Sequence, residues 1–464
     1  MTVLTDRLRR LFTRESPAPT HRRSFDAATG GRRASTFRAF GATGPETSAA
    51  AGPIRSRARH AAANNGWVGN AIQAFEGEIV GAGIEPASTH PDTAMRPILD
   101  ATWNAWAPDA DIEGRTDVRG LLAQMVRSCI IDGESFAVIE ESAQGVHLRV
   151  IPAEMVDESR TTNLPDGGYI ASGVEFDVQG RRVAYHVFPR RPTDLYATSV
   201  NPVRVPASDV LHLMRPLGAG QVRGVSWLAP VLLTVAEMDA LTDALLVGAK
   251  VAALHAGFIK NVNDLGAPGA YDESTGEITL EPGVIHRLGA GEDITFSSPE
   301  AARDSVGFAK LTLGQIAAGL GVPRHLLDGD LSQANYSSLR AGLIPFRQRV
   351  EAFVYHCVVP QVLGPLWRRV IAHEVISGRL DVDTTAAASA VEWLPPRPMQ
   401  VDPEKDTAAL REQLALGLTS RTKAAAAFGW NVADLDAEIA ADREREASLG
   451  LDFGTATGGP TDGQ

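Results

Sequence analysis

The sequence predicts an α+β fold with a mixed front half, long helices in the middle and a helical C-terminal part. Residues 174–187 alternate apolar and polar side chains on both sides of Gln179-Gly180, a pattern typical of a β-hairpin. Residues 228–259 carry apolar side chains at three- and four-residue steps, with no proline after Pro230. This pattern predicts a helix of about 30 residues and about 45 Å. Because such a helix is longer than a small domain is wide, we expect it to pack along helices of other elements or other subunits.

Helical periodicity and helix-ending residues also define the other helices. The first is predicted over residues 55–80, with a break at Asn64-Asn65-Gly66. Thr419 or Ser420 is the expected N-cap of a short helix near the C-terminus. The remaining predicted helices cover residues 95–106, 118–131, 305–320, 337–374 with bends at Pro345, Pro360 and Pro365, 406–430, and 432–448.

A stretch punctuated by glycine and proline separates the two middle helices. Residues 260–303 contain two short strand-like pieces, at 277–288 and 293–298. This composition predicts a small module inserted between the helices. Residues 454–464 are rich in glycine and threonine, and we expect them to be disordered.

The composition is that of a globular protein with a substantial core. Of 464 residues, 44% are hydrophobic and 22% are charged, and this length suits one elaborate domain or two to three ordinary ones. No apolar run approaches the roughly 18 residues of a membrane span, and the start lacks the apolar stretch of a signal peptide. We therefore expect a cytoplasmic origin and no membrane partner. Cys129 and Cys357 lie outside any Cys-x-x-Cys motif and are expected to be small buried apolar residues.

Charge is distributed unevenly along the chain. The net charge of -12 conceals a basic stretch, residues 1–60, with twelve arginines and four acids. Its composition predicts a disordered basic arm over residues 1–55. The pairs Arg22-Arg23 and Arg32-Arg33 either hold phosphates or an acidic partner, or belong to a solvated tail. Both interpretations remain open.

The acidic remainder of the chain disfavours tight binding of duplex DNA, because neutralised phosphates supply most of that affinity. It is compatible with a passage, because acidic side chains that face a channel would repel a duplex and hinder its sliding less than cationic ones. The candidates for such a channel wall are Glu237, Asp239 and Asp243 of the long middle helix. The alternative is that the same acids form an ordinary solvated helix face.

Motifs for catalysis are weak in this chain. It has no G-x-x-x-x-G-K-[ST] loop to power DNA movement and no HExxH pair to hold a metal on a helix. Gly218, Gly220 and Gly224 have the wrong spacing for a dinucleotide loop, and we expect a flexible connection into the long helix. The acidic clusters Asp132-Gly133-Glu134 and Asp328-Gly329-Asp330 could bind magnesium or transfer protons, but ordinary turn chemistry is the favoured interpretation.

Several segments carry a resemblance to a known family. The most specific is GDLSQANYSSLRAG before a long helix, with VRGVSWLAP about 110 residues earlier. In this order the chain resembles the lambda-type portal proteins of tailed bacteriophages over about residues 20–450. The other segments are RSRARHAAANNGWVGNAIQAFEGEIVGAGIEP, DGESFAVIE, HLRVIPAEMVD, GVEFDVQGRRVAYHVF and EWLPPRPMQVDPEKD.

The resemblance implies a ring, normally of twelve subunits, at the one capsid vertex through which double-stranded DNA enters and leaves. It implies contacts with terminase, a head-tail connector protein and the major capsid protein or scaffold. It places the protein in the virion after assembly in the host cytoplasm, with no enzymatic activity, metal or cofactor.

The resemblance also implies the phage portal fold, with a mixed α/β wing, a helical stem, a small α/β clip and a helical crown. The corresponding ranges are a disordered basic arm at 1–55, the wing at 56–227 and 337–402, stem helices at 228–259 and 303–322, the clip at 260–302, the tunnel loop at 323–336, the crown at 403–450 and a disordered tail at 451–464.

Within that architecture, the tunnel loop and its border become candidates for contact with DNA. Polar and aromatic side chains there touch phosphates or sugars weakly, as a sliding guide requires. Asp328 and Asp330 oppose close approach of phosphate, which favours a steric collar over a tight clamp, and Arg340 is expected to be the nearest cation. The candidate residues are His325, Asp328, Asp330, Gln333, Asn335, Tyr336, Ser337 and Arg340.

Two other functions are compatible with the residues alone. One is an intracellular acid-base or metal-dependent enzyme that uses Glu134, Asp328 or Asp330. The other is a non-viral oligomeric scaffold with an acidic pore. Particle size separates the ring from an ordinary enzyme, because a portal ring is far larger than a monomer or dimer.

Overall fold

The structure of the chain is a computed structural model. It describes residues 41–192, 201–253, 257–261, 292–296, 305–332, 335–396 and 402–451.

Helices make up most of the described chain and follow the predicted order. A long helical stretch in the C-terminal half runs without interruption through a π-helical segment, Val354–Leu363, that contains Pro360. The helices are α1 Thr43–Asn64, α2 Gly66–Ile79, α3 Met95–Trp106, α4 Val118–Asp132, α5 Leu232–Ala253, α6 Ser305–Leu320, α7 His325–Asp328, α8 Tyr336–Phe353, α9 Gly364–Ile376, α10 Thr384–Ser389, α11 Pro403–Ala415, α12 Arg421–Ala427 and α13 Val432–Leu449.

Two local predictions about helix ends are confirmed. The first helical region breaks at Asn65, whose side chain caps α2 by accepting a hydrogen bond from the backbone N–H of Val68 at 2.9 Å. Ser420 is the N-cap of α12, where its hydroxyl accepts from the N–H of Lys423. Both caps satisfy donors that the helix itself leaves free.

The start of α1 corrects the extent predicted for the disordered arm. Helix α1 begins at Thr43, so the last part of the expected arm is helical. Thr47, Ala51 and Arg55 recur at four-residue spacing and are buried on one face. Burial of that face offsets the ordering entropy that the composition alone left uncompensated. Residues 1–40, with Arg22, Arg23, Arg32 and Arg33, lie outside the described residues.

The end of α5 also differs from the prediction. The helix stops at Ala253, and Ile259, predicted to be helical, lies in a strand that pairs with Ile294. The partner strand is distant in sequence, so helical periodicity could not reveal it. Of the two strand-like pieces predicted in the clip, 293–298 is seen as this partner strand, whereas 277–288 lies outside the described residues.

The described strands form four antiparallel sheets. The largest has the order β4-β5-β6-β7-β8, and a three-stranded sheet has the order β3-β2-β9; the pairs β1-β12 and β10-β11 complete the set. The strands are β1 Glu85–Ser88, β2 Glu134–Ser142, β3 Gly145–Ile151, β4 Thr162–Asn163, β5 Tyr169–Ala171, β6 Val174–Phe176, β7 Arg182–Val187, β8 Val203–Pro206, β9 Val210–Met214, β10 Gly257–Asn261, β11 Glu292–Phe296 and β12 Val391–Leu394.

The hairpin predicted at 174–187 is confirmed. Strand β6 pairs with β7, with Val174 opposite Tyr185 and a bulge between Glu175 and Phe176. Gly180 has a φ of 76°, which the tight turn requires. Because the described chain contains both helices and antiparallel sheets, the predicted α+β class is confirmed.

Two hydrophobic cores organise these elements. The larger joins α2, α4, α8 and α9 with the facing ends of α5 and α6, and includes Ile72, Trp227 and Phe346. The smaller lies beneath the five-stranded sheet and includes Phe136 and Tyr185. The segment from 222 to 231 connects the two cores and leads directly into α5. Across the described ranges, no helix is both long and apolar enough to cross a membrane.

Candidate functional site

The segment predicted to be the tunnel loop begins where α6 ends, at the predicted Gly321-Val322-Pro323 stop. Gly321 has a φ of 80°, and the N–H of Val322 donates to the carbonyl of Ala317, which closes the helix. Part of the expected loop is helical, since α7 spans His325–Asp328. Leu327 is buried and anchors this short helix to the larger core. The loop is thus held at its base by packing.

A polar anchor on α2 adds to that packing. The side-chain amide of Asn70 donates to the carbonyls of Leu326 and Leu327, at 2.9 and 3.2 Å. Asn70 therefore satisfies carbonyls at the end of a four-residue helix that has few partners of its own. Sequence reasoning missed this residue because the two partners are more than 250 positions apart.

The acidic cluster of the loop is a turn with a cation beside it. Arg324 Nε donates to Asp328 at 2.7 Å, and its Nη2 lies 3.5 Å from Asp330. The expectation that Arg340 is the nearest cation is therefore wrong. The i,i+4 spacing of Arg324 and Asp328 was a signal that the sequence already contained. Because Arg324 neutralises part of this charge, the loop repels phosphate less than its two acids alone would.

Backbone hydrogen bonds fix the same turn. Gly329 has a φ of 69°, and the N–H of Asp330 donates to Asp328 Oδ1 at 3.0 Å. Hydrogen bonds from Ser332 lower the pKa of Asp330. The pKa of His325, at the start of α7, is lowered by burial, with Asp328 acting in the opposite direction. The turn interpretation of Asp328-Gly329-Asp330 is confirmed.

The far border of the loop is the start of α8. Asn335 caps it by accepting from the N–H of Ser338, whose hydroxyl accepts from Asn335 in return. Ser337 is exposed, and Tyr336 is the first residue of the helix. Arg340 Nη2 forms an ion pair with Asp406 of α11, at 3.4 Å. The side chains of Gln333 and Tyr336 lie outside the described residues.

The three acids of α5 do not share one face. Glu237 and Asp239 lie about 160° apart around the helix, whereas Asp239 and Asp243 are about 40° apart. All three are exposed, but Asp239 accepts a hydrogen bond from the Asn65 side chain at 2.7 Å. A single acidic wall made of all three is therefore excluded for a straight helix. Glu237 and the pair of aspartates present two different surfaces.

Helices α5 and α6 leave large apolar side chains exposed. On α6, Phe308 is 58% and Leu311 61% exposed, and on α5 Leu246 is 53% exposed. Val247 and Val306 are also about half exposed or more. Phe308 and Leu311 lie about 60° apart on one face of α6. Large apolar side chains exposed in this way are typical of a surface that a partner covers.

A buried ion network lies where the chain enters α5. We use that name for Glu134, Arg223, Arg55, Glu158 and His212. Glu134 is 0% and Arg223 1% exposed, with Arg223 Nη2 at 2.6 Å from Glu134 Oε1. His212 Nε2 lies 3.1 Å from Glu134 Oε2, and the N–H of Gly224 donates to that oxygen at 2.7 Å. Both carboxylate oxygens are occupied and shielded from solvent.

This environment sets the protonation of the network. Burial would raise the pKa of Glu134, but Arg223 and the His212 hydrogen bond outweigh it and hold the pKa well below its usual range. Burial lowers the pKa of His212 to about 4, although Glu134 opposes the shift. Glu134 is an ionised, inaccessible structural residue at neutral pH. It therefore cannot serve as the acid or base of the alternative enzyme.

Gly133 and Gly224 are explained by close contact between the backbones at these two positions. A Cβ on Gly133 would lie 2.1 Å from the carbonyl carbon of Val225, and one on Gly224 would lie 2.1 Å from the carbonyl oxygen of Gly133. Gly133 also has a φ of 96° at the end of α4. The expected flexible connection is wrong at Gly224, because this residue is locked against the start of β2.

Metal-binding and reactive groups are sparse in the part of the chain that the structure describes. In those ranges no group of three His, Cys, Asp or Glu side chains is arranged to hold a metal ion. Cys129 and Cys357 are both free and buried, as predicted, and burial raises the pKa of each thiol. Neither thiol has the lowered pKa typical of a nucleophile.

Comparison with known proteins supplies the family. The family described as phage portal protein, lambda family, matches residues 30–353, which is more than half of the chain. Among solved structures, the neck of a native gene transfer agent particle is similar at 16% identity and a TM-score of 0.45, over 83% of this chain and 94% of that one.

Curated relatives agree with the family match. The probable portal protein of Halomonas phage phiHAP-1 is 24% identical over 86% of this chain and 81% of its own length. Portal protein B of Escherichia phage lambda is 22% identical, and the portal protein of Escherichia phage N15 is 24% identical. Each of these two alignments covers 62% of this chain and 62% of the relative. The chain therefore belongs to the lambda family of phage portal proteins, which are structural components of phage particles.

Proposed function

We propose that the chain is one subunit of a portal ring, most simply a dodecamer, at one vertex of a phage capsid. Double-stranded DNA passes through the centre of the ring during packaging and ejection. The subunit is a passive guide, and terminase supplies the force for packaging. The ring also docks a head-tail connector protein and contacts the major capsid protein or scaffold, after assembly in the host cytoplasm.

The exposed apolar surface of α5 and α6 is the observation that carries this proposal beyond family membership. Leu246 and Val247 of α5 and Phe308 and Leu311 of α6 are each about half exposed or more. In a ring, these side chains would be covered by α5 and α6 of the neighbouring subunit. A closed ring repeats the same head-to-tail contact around its circumference, so every copy buries this surface against its neighbour. In this arrangement α5 and α6 are the stem.

The tunnel loop projects from the base of the stem in this proposal. Packing of Leu327 and the hydrogen bonds of Asn70 hold one side of it, and the Asn335 cap holds the other. Exposed Ser337 and the Arg324-Asp328 pair offer weak, nearly neutral contacts to a phosphate backbone. Such contacts suit a collar around a moving duplex, because strong cationic contacts would hold it in place.

The size and shape of the purified protein test this proposal. Twelve copies of the 49.3 kDa chain have a mass of about 590 kDa. Sedimentation should give that mass, and electron micrographs should show rings with a hole wider than the ~20 Å duplex. A monomer or dimer that persists across protein and salt concentrations contradicts the proposal.

A pair of variants sharpens the test. Leu311→Glu places a charge in the proposed subunit contact and should abolish rings without unfolding the chain. Gln144→Glu adds the same charge at an exposed polar position in the turn between β2 and β3, away from α5 and α6, and should leave rings intact. Rings that survive Leu311→Glu unchanged would show that this surface is not the contact.

A further inference from the structure

The segment that leads into the proposed stem, residues 223–231, is attached to the rest of the subunit through the buried ion network. Arg223 precedes α5 by nine positions, and between them the chain lies against the end of α4. The N–H of Trp227 donates to the carbonyl of Ile130 at 3.0 Å, and the Ser226 hydroxyl donates to the same carbonyl at 3.4 Å. The direction in which α5 leaves the body therefore depends on how residues 223–228 are seated.

Arg223 bonds to three separate parts of the body at once. Its Nε donates to Glu134 at the start of β2, at 2.9 Å. Its Nη1 donates to the carbonyl of Ser172 in the turn between β5 and β6, and its Nη2 to that of Ala153, each at 2.9 Å. The planar guanidinium presents five donors in a fixed fork, so these bonds define one orientation of the side chain.

Helix α1 joins the same centre through two arginines one turn apart. Arg55 contacts Glu158 at 2.5 Å and lies 3.6 Å from Glu134. Arg59 holds Asp132 with two bonds of 2.7 Å and also binds Glu154. The helical body, the five-stranded sheet side and the entry to α5 therefore meet at a single set of charges.

We propose that Arg223 and Glu134 are positioning residues that fix the angle between the five-stranded sheet and α5, and so aim the stem. This inference rests on the proposed function only where it speaks of a stem. A buried ion pair adds little net stability over well-packed apolar side chains, but it admits few alternative arrangements. The two backbones come into direct contact at Gly133 and Gly224, so the entry to α5 lies against the start of β2 beside this ion pair. The network thus selects one direction for the helix pair that every subunit must share.

A substitution that keeps the charge separates positioning from folding. Arg223→Lys still neutralises Glu134, but a single ammonium cannot reach Glu134, Ser172 and Ala153 together. The matched control is Arg204→Lys, because Arg204 also bonds a buried glutamate, Glu175, through several guanidinium contacts but does not touch the entry to α5. Both variants should fold, as judged by circular dichroism and cooperative unfolding.

The readout is the distance between spin labels on cysteines placed at Gln179, in the hairpin turn, and Ala244, on α5. Both positions are exposed, and the labelled chain is diluted with unlabelled chain so that only distances within one subunit are measured. In Arg223→Lys we expect the distance distribution to become at least twice as wide, while Arg204→Lys keeps the native width. An unchanged mean and width in Arg223→Lys overturns the inference.

A second variant covers the possibility that Arg223→Lys does not fold. Glu134→Gln keeps an acceptor for Gly224 and removes the ion pair, and it should broaden the same distribution. An unchanged distribution in Glu134→Gln then overturns the inference. The ring is scored separately by microscopy: wild-type chain that forms no rings contradicts the proposed portal function, whereas the label distances still decide the role of Arg223.

Discussion

Arg223 and Glu134 form an ion pair of 2.6 Å that is closed to solvent on all sides, with no more than 1% of either side chain exposed. The two residues are 89 positions apart in the chain. Each belongs to a short motif that is unremarkable alone, Asp132-Gly133-Glu134 and Arg223-Gly224. In the folded chain the two motifs form a single buried site, because the charged residue of one neutralises that of the other.

Removing one member of this pair should destabilise the fold strongly. In Arg223→Met the buried carboxylate of Glu134 loses its nearest counter-charge, and only Arg55 remains, at 3.6 Å. Such a loss costs about 3–5 kcal/mol of unfolding free energy. Arg127→Ala is the matched control, since it removes a partly exposed pair between Arg127 of α4 and Glu76 of α2 and should cost at most about 1 kcal/mol. Denaturant unfolding of the two variants measures the difference. Equal losses of unfolding free energy in the two variants would contradict a larger contribution from the buried pair.

Gly224 should not tolerate a side chain. Its Cβ would meet the carbonyl oxygen of Gly133 at 2.1 Å, so Gly224→Ala should cost at least about 3 kcal/mol or prevent folding. Gly248→Ala, in α5, has nothing within 4 Å of its Cβ and should gain up to about 1 kcal/mol from helix propensity. Thermal unfolding of both variants provides the measurement. A stable Gly224→Ala protein would contradict the close contact between the two backbones.

Stability between pH 4 and pH 6.5 should reflect the opposing effects of one carboxyl group and several histidines. Burial raises the pKa of Asp100 to about 6, so the folded state binds more protons there and this group adds stability as the pH falls below 6. His212, whose pKa is lowered to about 4, binds protons in the unfolded state first and removes up to roughly 3 kcal/mol as the pH falls from 6.5 to 4. His186 and His325, whose pKa values are also lowered, act in the same direction as His212.

The Asp100→Asn variant should separate these contributions. It removes the gain on acidification, so its unfolding free energy should fall more steeply than that of the wild type between pH 6.5 and pH 4. Asn104→Ala removes an exposed amide that carries no titratable proton, on the same helix as Asp100, and should leave the slope unchanged. Chemical unfolding at a series of pH values tests both. A wild-type slope in Asp100→Asn would show that Asp100 does not titrate in this window.

Loss of the Asn70 hydrogen bonds should loosen the segment after α6, residues 324–330, locally. Asn70→Ala removes two hydrogen bonds to the carbonyls of Leu326 and Leu327, each worth about 1 kcal/mol. We expect amide hydrogen exchange in residues 324–330 to accelerate about fivefold or more, with little change in global unfolding. Asn64→Ala is the control, because Asn64 bonds only within α1, to His60. Unchanged exchange in the loop would show that packing of Leu327 alone holds it.

The two acidic surfaces of α5 should differ in their effect on DNA. Glu237 and Asp243 lie about 120° apart around the helix, so only one of them can face the centre of a ring directly. If a repulsive wall assists sliding, one of the variants Glu237→Lys and Asp243→Lys should shorten the packaged genome and the other should not. Packaged length in phage particles gives the measurement. Full packaging in both variants would remove the acidic-wall hypothesis.

The sequence by itself determined the α+β class, the hairpin at 174–187, the break at Asn65 and the stop at Gly321-Val322-Pro323. These features are local: alternation, helical spacing and helix-ending residues act within a few positions. The turn nature of Asp328-Gly329-Asp330 was predictable for the same reason. Family membership also lay within reach of sequence, since it rests on motifs and their order.

Only the tertiary structure decided which distant groups meet. Ile259 is in a strand because Ile294 pairs with it, α1 extends back to Thr43 because its inner face is buried, and Arg340 pairs with Asp406 of the distant helix α11. Long-range contacts depend on chain closure over many residues, and no local pattern records them. The same holds for Arg223 and Glu134, which join into one buried pair only when the sheet, the end of α4 and the entry to α5 come together.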